Sequence, residues 1–144
     1  HNILGYDSFQ FIREEILNRL ELTNSYGSLS EVDINDVMSG YHKGYPLNLR
    51  TDDHGMLATA EDVGVFLRAL NDGSLFDEGE KEIYASIYEF EHSGWVPGYQ
   101  SFAKYYEDID AVVIQFYSTT DRKLLLWNLS QIINKRILRI IKKN

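Results

Sequence analysis

Four residues in the first half of the chain are of the types that bind metal ions. His42 precedes three consecutive residues, Asp52, Asp53 and His54. Imidazole nitrogens and carboxylate oxygens both suit zinc. The four residues nevertheless lack a tight ligand spacing such as His-x-x-x-His. We therefore interpret them as part of a solvated loop, and the sequence predicts no metal and no cofactor.

Helical spacing and capping residues predict two helices in the first half of the chain. Asp7-Ser8 can cap a helix, and apolar residues then recur at helical spacing over residues 8–20. Thr59-Ala60-Glu61-Asp62 is a capping-box pattern, which predicts a helix over residues 59–72. Residues 21–57 show no sustained period. A segment of this length without regular structure is either functional or shaped by a neighbour.

Aromatic and β-branched residues predict three strands in the second half. A short helix around Asp77–Lys81 should come first, followed by strands at about 83–91, 99–106 and 111–118. The run Ala111–Ile114 is apolar on both faces, as in a strand that is covered on both sides in the middle of a sheet. Helices, then three strands, then a closing helix make an α+β pattern.

The closing helix is predicted over residues 121–141, with an apolar stripe that should pack on the sheet. The stripe consists of Leu126, Leu129, Ile133, Ile137 and Ile140. Basic residues near its end, among them Arg139, Lys142 and Lys143, complement the helix dipole. The alternative is that residues 121–144 contact an anionic membrane surface.

The distribution of charge argues against nucleic acid as a partner. Residues 1–120 carry seven Lys and Arg against 21 Asp and Glu, whereas residues 121–144 carry seven against one. A phosphate backbone needs a basic face on the main fold, and this body is acidic. Cysteine is absent, which removes disulfides and thiolate sites.

Three stretches, in this order, resemble the serine β-lactamase and penicillin-binding-protein superfamily, especially its class C, DD-carboxypeptidase and esterase branch. Asp53–Val63 is similar to the family's Gly-Gly-Leu-x-Ser-Thr-Ala-x-Asp-Leu helix entry. His92-Ser93-Gly94 resembles the third active-site motif, and Pro97-Gly98-Tyr99 resembles the turn that follows it. The resemblance implies a C-terminal part of a β-lactamase/transpeptidase-like fold, as a single partial domain over residues 1–144.

The family's nucleophile motif is not found where the resemblance requires it. In the family, Ser-x-x-Lys and Tyr-x-Asn both precede the stretches matched here. This sequence has no Tyr-x-Asn, and its one Ser-x-x-Lys match runs from Ser101 to Lys104 on a predicted strand. Side chains three residues apart on a strand point to opposite faces. We interpret that match as coincidence and expect the chain by itself to be inactive.

The resemblance assigns roles to four residues. His92 and Ser93 would face the cleft and contact substrate. Gly94 would let the substrate approach the strand backbone, which a side chain would block. The backbone N–H of Trp95 would be one oxyanion donor. The alternative is an ordinary His-Ser-Gly turn at the end of a strand.

The resemblance implies acyl transfer on a D-Ala-D-Ala peptide, a β-lactam or an ester, in an extracytoplasmic parent hydrolase. The alternative from a different class is a non-catalytic binding or regulatory relic of the same fold. In the family, the strand matching residues 111–118 lies beside a strand from the N-terminal segment. We therefore expect residues 111–118 to pair with that segment or with another copy in a homo-oligomer.

Overall fold

The computed structural model describes residues 5, 7–45, 55–86 and 91–143. Its helices are, in chain order, α1 (Ser8–Ile12), α2 (Ala60–Asp72), α3 (Glu78–Ala85) and α4 (Leu125–Ile141). Its longer strands are β4 (Glu91–Val96), β5 (Tyr99–Tyr106) and β6 (Ala111–Tyr117). Four two-residue strands complete the set: β1 (Ser25–Tyr26), β2 (Tyr41–His42), β3 (Leu57–Ala58) and β7 (Thr119–Thr120).

The central feature is an antiparallel sheet in the order β4-β5-β6, with a helix on each face. The register pairs Gly94 with Ser101 and Ser101 with Phe116. Side chains alternate along a strand, so these three residues share one face of the sheet, which packs against α2. The predicted strands 99–106 and 111–118 are confirmed, and the α+β architecture is confirmed with them.

Helix α2 is fixed by its own ends, as the sequence predicts. The side chain of Thr59 accepts a hydrogen bond from the Asp62 N–H, at 3.2 Å, and Gly73 ends the helix with φ of 75°. Leu67 and Ala69 are buried. Asp62 departs from the capping box, because its carboxylate accepts from the Ser25 hydroxyl at 2.8 Å and from a neighbouring backbone N–H. The same acid therefore ties β1 to the start of α2.

Helix α4 covers the opposite face of the sheet, and the stripe that the sequence predicts is buried only in part. Trp127 packs against Phe102, with ring centroids 4.6 Å apart, and Ser130 is 1% exposed. The stripe members Leu126, Ile133 and Ile137 are half-buried, whereas Leu129 and Ile140 are 50% and 64% exposed. Apolar periodicity finds an apolar side of a helix but cannot say which side meets the sheet. Among the described residues, no helix is long and apolar enough to cross a membrane.

The other predicted bounds differ in three places. The closing helix, predicted from residue 121, begins at Leu125. The first helix is predicted to extend to residue 20, but α1 continues only as one wider π-helical turn, Arg13–Leu17. The strand predicted at 83–91 is wrong at its start, because residues 83–85 belong to α3. Asp77 and Glu80 form a reciprocal capping box that starts α3. A local cap outweighs weak β propensity here. Residues 87–90 lie outside the described part of the chain, and β4 is described from Glu91.

Candidate active-site cleft

The His-Ser-Gly motif lies on β4, an outer strand of the three-stranded sheet. His92, Ser93 and Trp95 are all exposed. Because side chains alternate, His92 and Gly94 share the face that meets α2, whereas Ser93 and Trp95 project from the other. A ligand could therefore meet the side chains of both His92 and Ser93 only at the outer edge of β4.

Gly94 is required by its cross-strand neighbour. A Cβ placed on Gly94 would lie 2.9 Å from the Ser101 hydroxyl oxygen, which is closer than van der Waals contact allows. The absence of a side chain also leaves the backbone of β4 open to close approach. Substitution of Gly94 would thus push Ser101 aside as well as narrow the space beside the strand.

A cleft of about 1250 Å³ lies beside this part of the sheet. Its walls are contributed by the helical segment 8–17, the loop 31–38, the start of α2 and the β4–β5 hairpin, including Gly94 and Trp95. His92 is close in sequence but does not line it. Most lining side chains are apolar, among them Leu22, Met38, Met56, Phe66, Val96 and Phe116. Of the four residues in the predicted motif, Gly94 and Trp95 line this cleft.

The charged side chains that line the cleft are all acidic. They are Glu31, Asp33, Asp36 and Asp62, and the described lining contains no Lys, Arg or His. Arg13 binds Glu31 from outside the lining at 2.5 Å, and this hydrogen bond lowers the pKa of the Glu31 carboxyl. The cleft is thus an apolar space with a negative rim.

His42 has a role that the sequence did not reveal. It is 4% exposed, and its Nδ1 lies 2.7 Å from the hydroxyl oxygen of Thr120. The same oxygen accepts a hydrogen bond from the Gly98 N–H at 2.7 Å. The interpretation of His42 as part of a solvated loop is therefore wrong, because the pairing of β2 with β7 buries it; Asp52, Asp53 and His54 lie outside the described residues. No group of three His, Cys, Asp or Glu in the described part of the chain could hold a metal ion.

The segment around His42 holds the β4–β5 turn from the outside. β2 pairs in parallel with β7, so that His42 lies opposite Thr120. The Tyr99 hydroxyl donates to the Met38 carbonyl at 2.9 Å. Gly40 lies against the Tyr99 ring, where a Cβ would come within 2.4 Å of the ring carbons. In the sequence, only the glycine at residue 40 points to the contact with Tyr99. The two residues are far apart in the chain, so the sequence does not pair them.

The Ser-x-x-Lys match lies on β5, as the sequence predicts. Ser101 pairs with Gly94 and Phe116, on the α2 face of the sheet. Lys104 points to the opposite face, where its ammonium lies 5.6 Å from the centre of the Tyr106 ring. A lysine on the other side of a sheet cannot take a proton from the serine, so the interpretation as coincidence agrees with the structure.

No family model and no curated protein matches the sequence, but solved structures match the fold. D-amino acid amidase from Ochrobactrum anthropi SV3, complexed with D-phenylalanine, gives a TM-score of 0.68 at 18% identity over 90% of this chain and 53% of that enzyme. The same amidase with L-phenylalanine amide gives 0.62 at 17% identity, over 78% and 44%. D-stereospecific amidohydrolase from Streptomyces sp. gives 0.60 at 15% identity, over 81% and 45%.

These likenesses confirm the fold. The chain shares its fold with part of D-amino acid amidase and part of D-stereospecific amidohydrolase. It spans about half the length of the enzymes that it matches.

Proposed function

We propose that the chain supplies one wall of the active-site cleft of a serine hydrolase that catalyses acyl transfer. The observation that carries this proposal is the position of Gly94 and Trp95, which line the cleft from an outer strand of this fold. The ordered resemblance of His92-Ser93-Gly94 and the following turn to the third active-site motif supports it.

The proposed chemistry uses the backbone of β4 more than its side chains. A nucleophilic hydroxyl from another segment attacks the substrate carbonyl carbon, and the carbonyl oxygen gains negative charge. The N–H of Trp95 donates to that oxygen, and the leaving amine or alcohol takes up the proton of the hydroxyl. His92 and Ser93 contact the substrate where it overhangs the outer edge of β4.

The charge of the cleft favours one part of the candidate substrate class. D-Ala-D-Ala peptides and β-lactams carry a carboxylate, which the exposed rim residues Asp33 and Asp36 repel. A simple amide or ester with an apolar side chain avoids this repulsion, and a free ammonium group is attracted. We propose an amide or ester of this kind as the substrate. Two enzymes that share the fold are named D-amino acid amidase and D-stereospecific amidohydrolase, and these names support an amide as the substrate.

Ligand titration of the ¹⁵N-labelled chain, followed by NMR, tests the proposal. D-phenylalanine amide should shift the backbone amides of Gly94 and Trp95, because the ligand lies against β4. N-acetyl-D-alanyl-D-alanine, which carries a carboxylate, should shift them less at equal concentration. Gly94→Val is the matched variant, since its side chain fills the approach to the strand and should abolish both responses. Shifts confined to α4 would contradict the site.

The alternative function is that of a non-catalytic binding or regulatory relic of the same fold. The parent sequence upstream of His1 distinguishes it from the enzyme. A Ser-x-x-Lys at the start of a predicted helix, roughly 100 residues or more upstream, supports the hydrolase because the motif order of the family requires it. An upstream half of this fold with no such motif would support the non-catalytic module.

A further inference from the structure

We propose that His42 is a positioning residue for the oxyanion donor, and this inference rests on the proposed function. The turn that joins β4 to β5 is the first link between His42 and Trp95. Val96 pairs with Tyr99, so that Pro97 and Gly98 form a two-residue loop. In so short a loop, a displacement of Gly98 also displaces the adjoining pair, Val96 and Tyr99. Trp95 precedes Val96 on β4, so it moves with that pair.

The Gly98 amide is held from outside the hairpin. Its N–H donates to the hydroxyl of Thr120, which is 0% exposed. A hydroxyl has one proton and two acceptor sites. With one acceptor site taken by the Gly98 N–H, the Thr120 hydroxyl bonds Nδ1 of His42, 2.7 Å away, through its proton or its second acceptor site. Either tautomer of the imidazole makes this bond, so His42 holds the Thr120 hydroxyl in both.

His42 itself is fixed on two sides. The neighbouring backbone bonds of the β2–β7 pair run from the Tyr41 N–H to Ser118 and from the Lys43 N–H to Thr120, each at 2.8 Å. The imidazole meets the Trp95 ring edge to face, with centroids 5.9 Å apart. One buried ring therefore contacts the side chain of Trp95 and, through Thr120, the turn that follows it.

Two pairs of substitutions separate positioning from simple packing. His42→Leu removes the ring nitrogen that bonds Thr120, whereas His42→Asn keeps a side-chain amide near the place of Nδ1. Thr120→Val removes the hydroxyl at nearly constant shape, whereas Thr120→Ser keeps it. Asn71→Ala is the control, since it loses a part-buried hydrogen bond to the Leu67 carbonyl near the end of α2, and Asn71 does not line the cleft.

The readouts are the exchange rate of the Gly98 amide, the chemical shift of the Trp95 amide, and the affinity for D-phenylalanine amide. His42→Leu and Thr120→Val should speed exchange at Gly98 about tenfold, because a buried hydrogen bond is lost. They should also move the Trp95 amide and weaken the affinity, while His42→Asn and Thr120→Ser restore all three. Asn71→Ala should change none of them.

Faster exchange at Gly98 with an unchanged Trp95 amide and unchanged affinity would overturn the proposal and leave His42 a packing residue. If His42→Leu fails to fold, the Thr120 pair decides the question alone. If D-phenylalanine amide binds no variant, including the unaltered chain, the proposed function fails, and the Trp95 amide shift still decides whether His42 positions that residue.

Discussion

The two helices that cover the sheet, α2 and α4, bury their apolar side chains to different degrees. Helix α2 buries Leu67, which is 3% exposed, and its caps lie where the sequence predicts them. Helix α4 is the more strongly apolar of the two, yet it meets the sheet through Trp127, Ser130 and the amide of Asn134. Its other apolar residues remain at the surface: Leu125, Leu129, Ile132 and Ile140 are each at least half exposed.

The apolar side of α2 is thus covered by the sheet, whereas part of the apolar side of α4 stays exposed. Exposed apolar area of this extent marks a surface that contacts something else. β6 lies on the same side, and among the described strands it pairs only with β5. We propose that further protein covers the outer edge of β6 and the apolar side of α4, either as another segment of the same hydrolase fold or as a second copy.

The largest expected effect is on stability, in a comparison of one leucine from each helix. Leu67→Ala should lower the free energy of unfolding by about 2–5 kcal/mol, because it leaves a cavity between α2 and the sheet. Leu129→Ala should change it by less than about 0.5 kcal/mol, as is usual for an exposed site. Urea unfolding followed by circular dichroism gives both values. Equal losses would show that α4 is packed as fully as α2.

The second effect concerns the edge of β6. If residues 111–118 pair with another copy, exchange of the outward-facing amides of β6 should slow about tenfold as the chain is concentrated, since a paired edge is protected from water. Analytical ultracentrifugation over the same range should show a dimer or higher oligomer. A monomer at every concentration, with exchange that does not change, contradicts self-pairing and leaves another segment as the partner.

The third effect tests the cap of α2. Thr59→Ala should cost about 1 kcal/mol of unfolding free energy, because the Asp62 N–H loses its acceptor. Thr59→Ser keeps the hydroxyl and should cost much less. Thermal unfolding of the three proteins compares them directly. An alanine variant as stable as the serine variant would mean that the bonds of Asp62 to β1 hold the start of α2 without the cap.

The smallest effect is electrostatic and depends on pH. The Arg68 guanidinium, 2.6 Å away, together with the Tyr105 hydroxyl, lowers the pKa of the Asp110 carboxyl. A lowered folded-state pKa gives stability above the unfolded pKa that is lost as the pH falls through the folded value. Asp110→Asn should therefore lower the melting temperature slightly at neutral pH and not in strong acid. Asn also tolerates the left-handed backbone at this residue. A pH-independent difference would point to the backbone instead.

Local signals predicted the parts of the fold that local interactions determine. Thr59 and Gly73 define the ends of α2, and the β-branched run at residues 111–114 defines β6, so both were predicted from sequence. The start of the strand at 83–91 was wrong because residues 83–85 belong to the helix that the Asp77–Glu80 capping box begins. The buried side of α4 was predicted only in part, since it also depends on polar partners such as Gln115 on a distant strand.

Prediction of the site divides in the same way. The sequence proposed Gly94 and Trp95 as site residues because the motif is continuous along β4, and their role stays a prediction. The contribution of His42 depends on Thr120 and Gly98, which are far from it in the chain, and no spacing rule connects them. His92 and Ser93 were expected to face one cleft together. The strand alternation places them on opposite faces, a consequence of the register that became clear once the strand was placed at Glu91–Val96.

The central claim is that this chain forms a wall of a hydrolase cleft but does not carry the nucleophile. The most direct measurement is incubation of the chain with a fluorescent penicillin, a chromogenic cephalosporin and D-phenylalanine p-nitroanilide, read by mass spectrometry and absorbance. We predict no covalent adduct and no turnover, because Ser101 and Lys104 lie on opposite faces of β5 and cannot act together. Stoichiometric labelling of any serine, or multiple turnovers of any of the three compounds, would contradict the account.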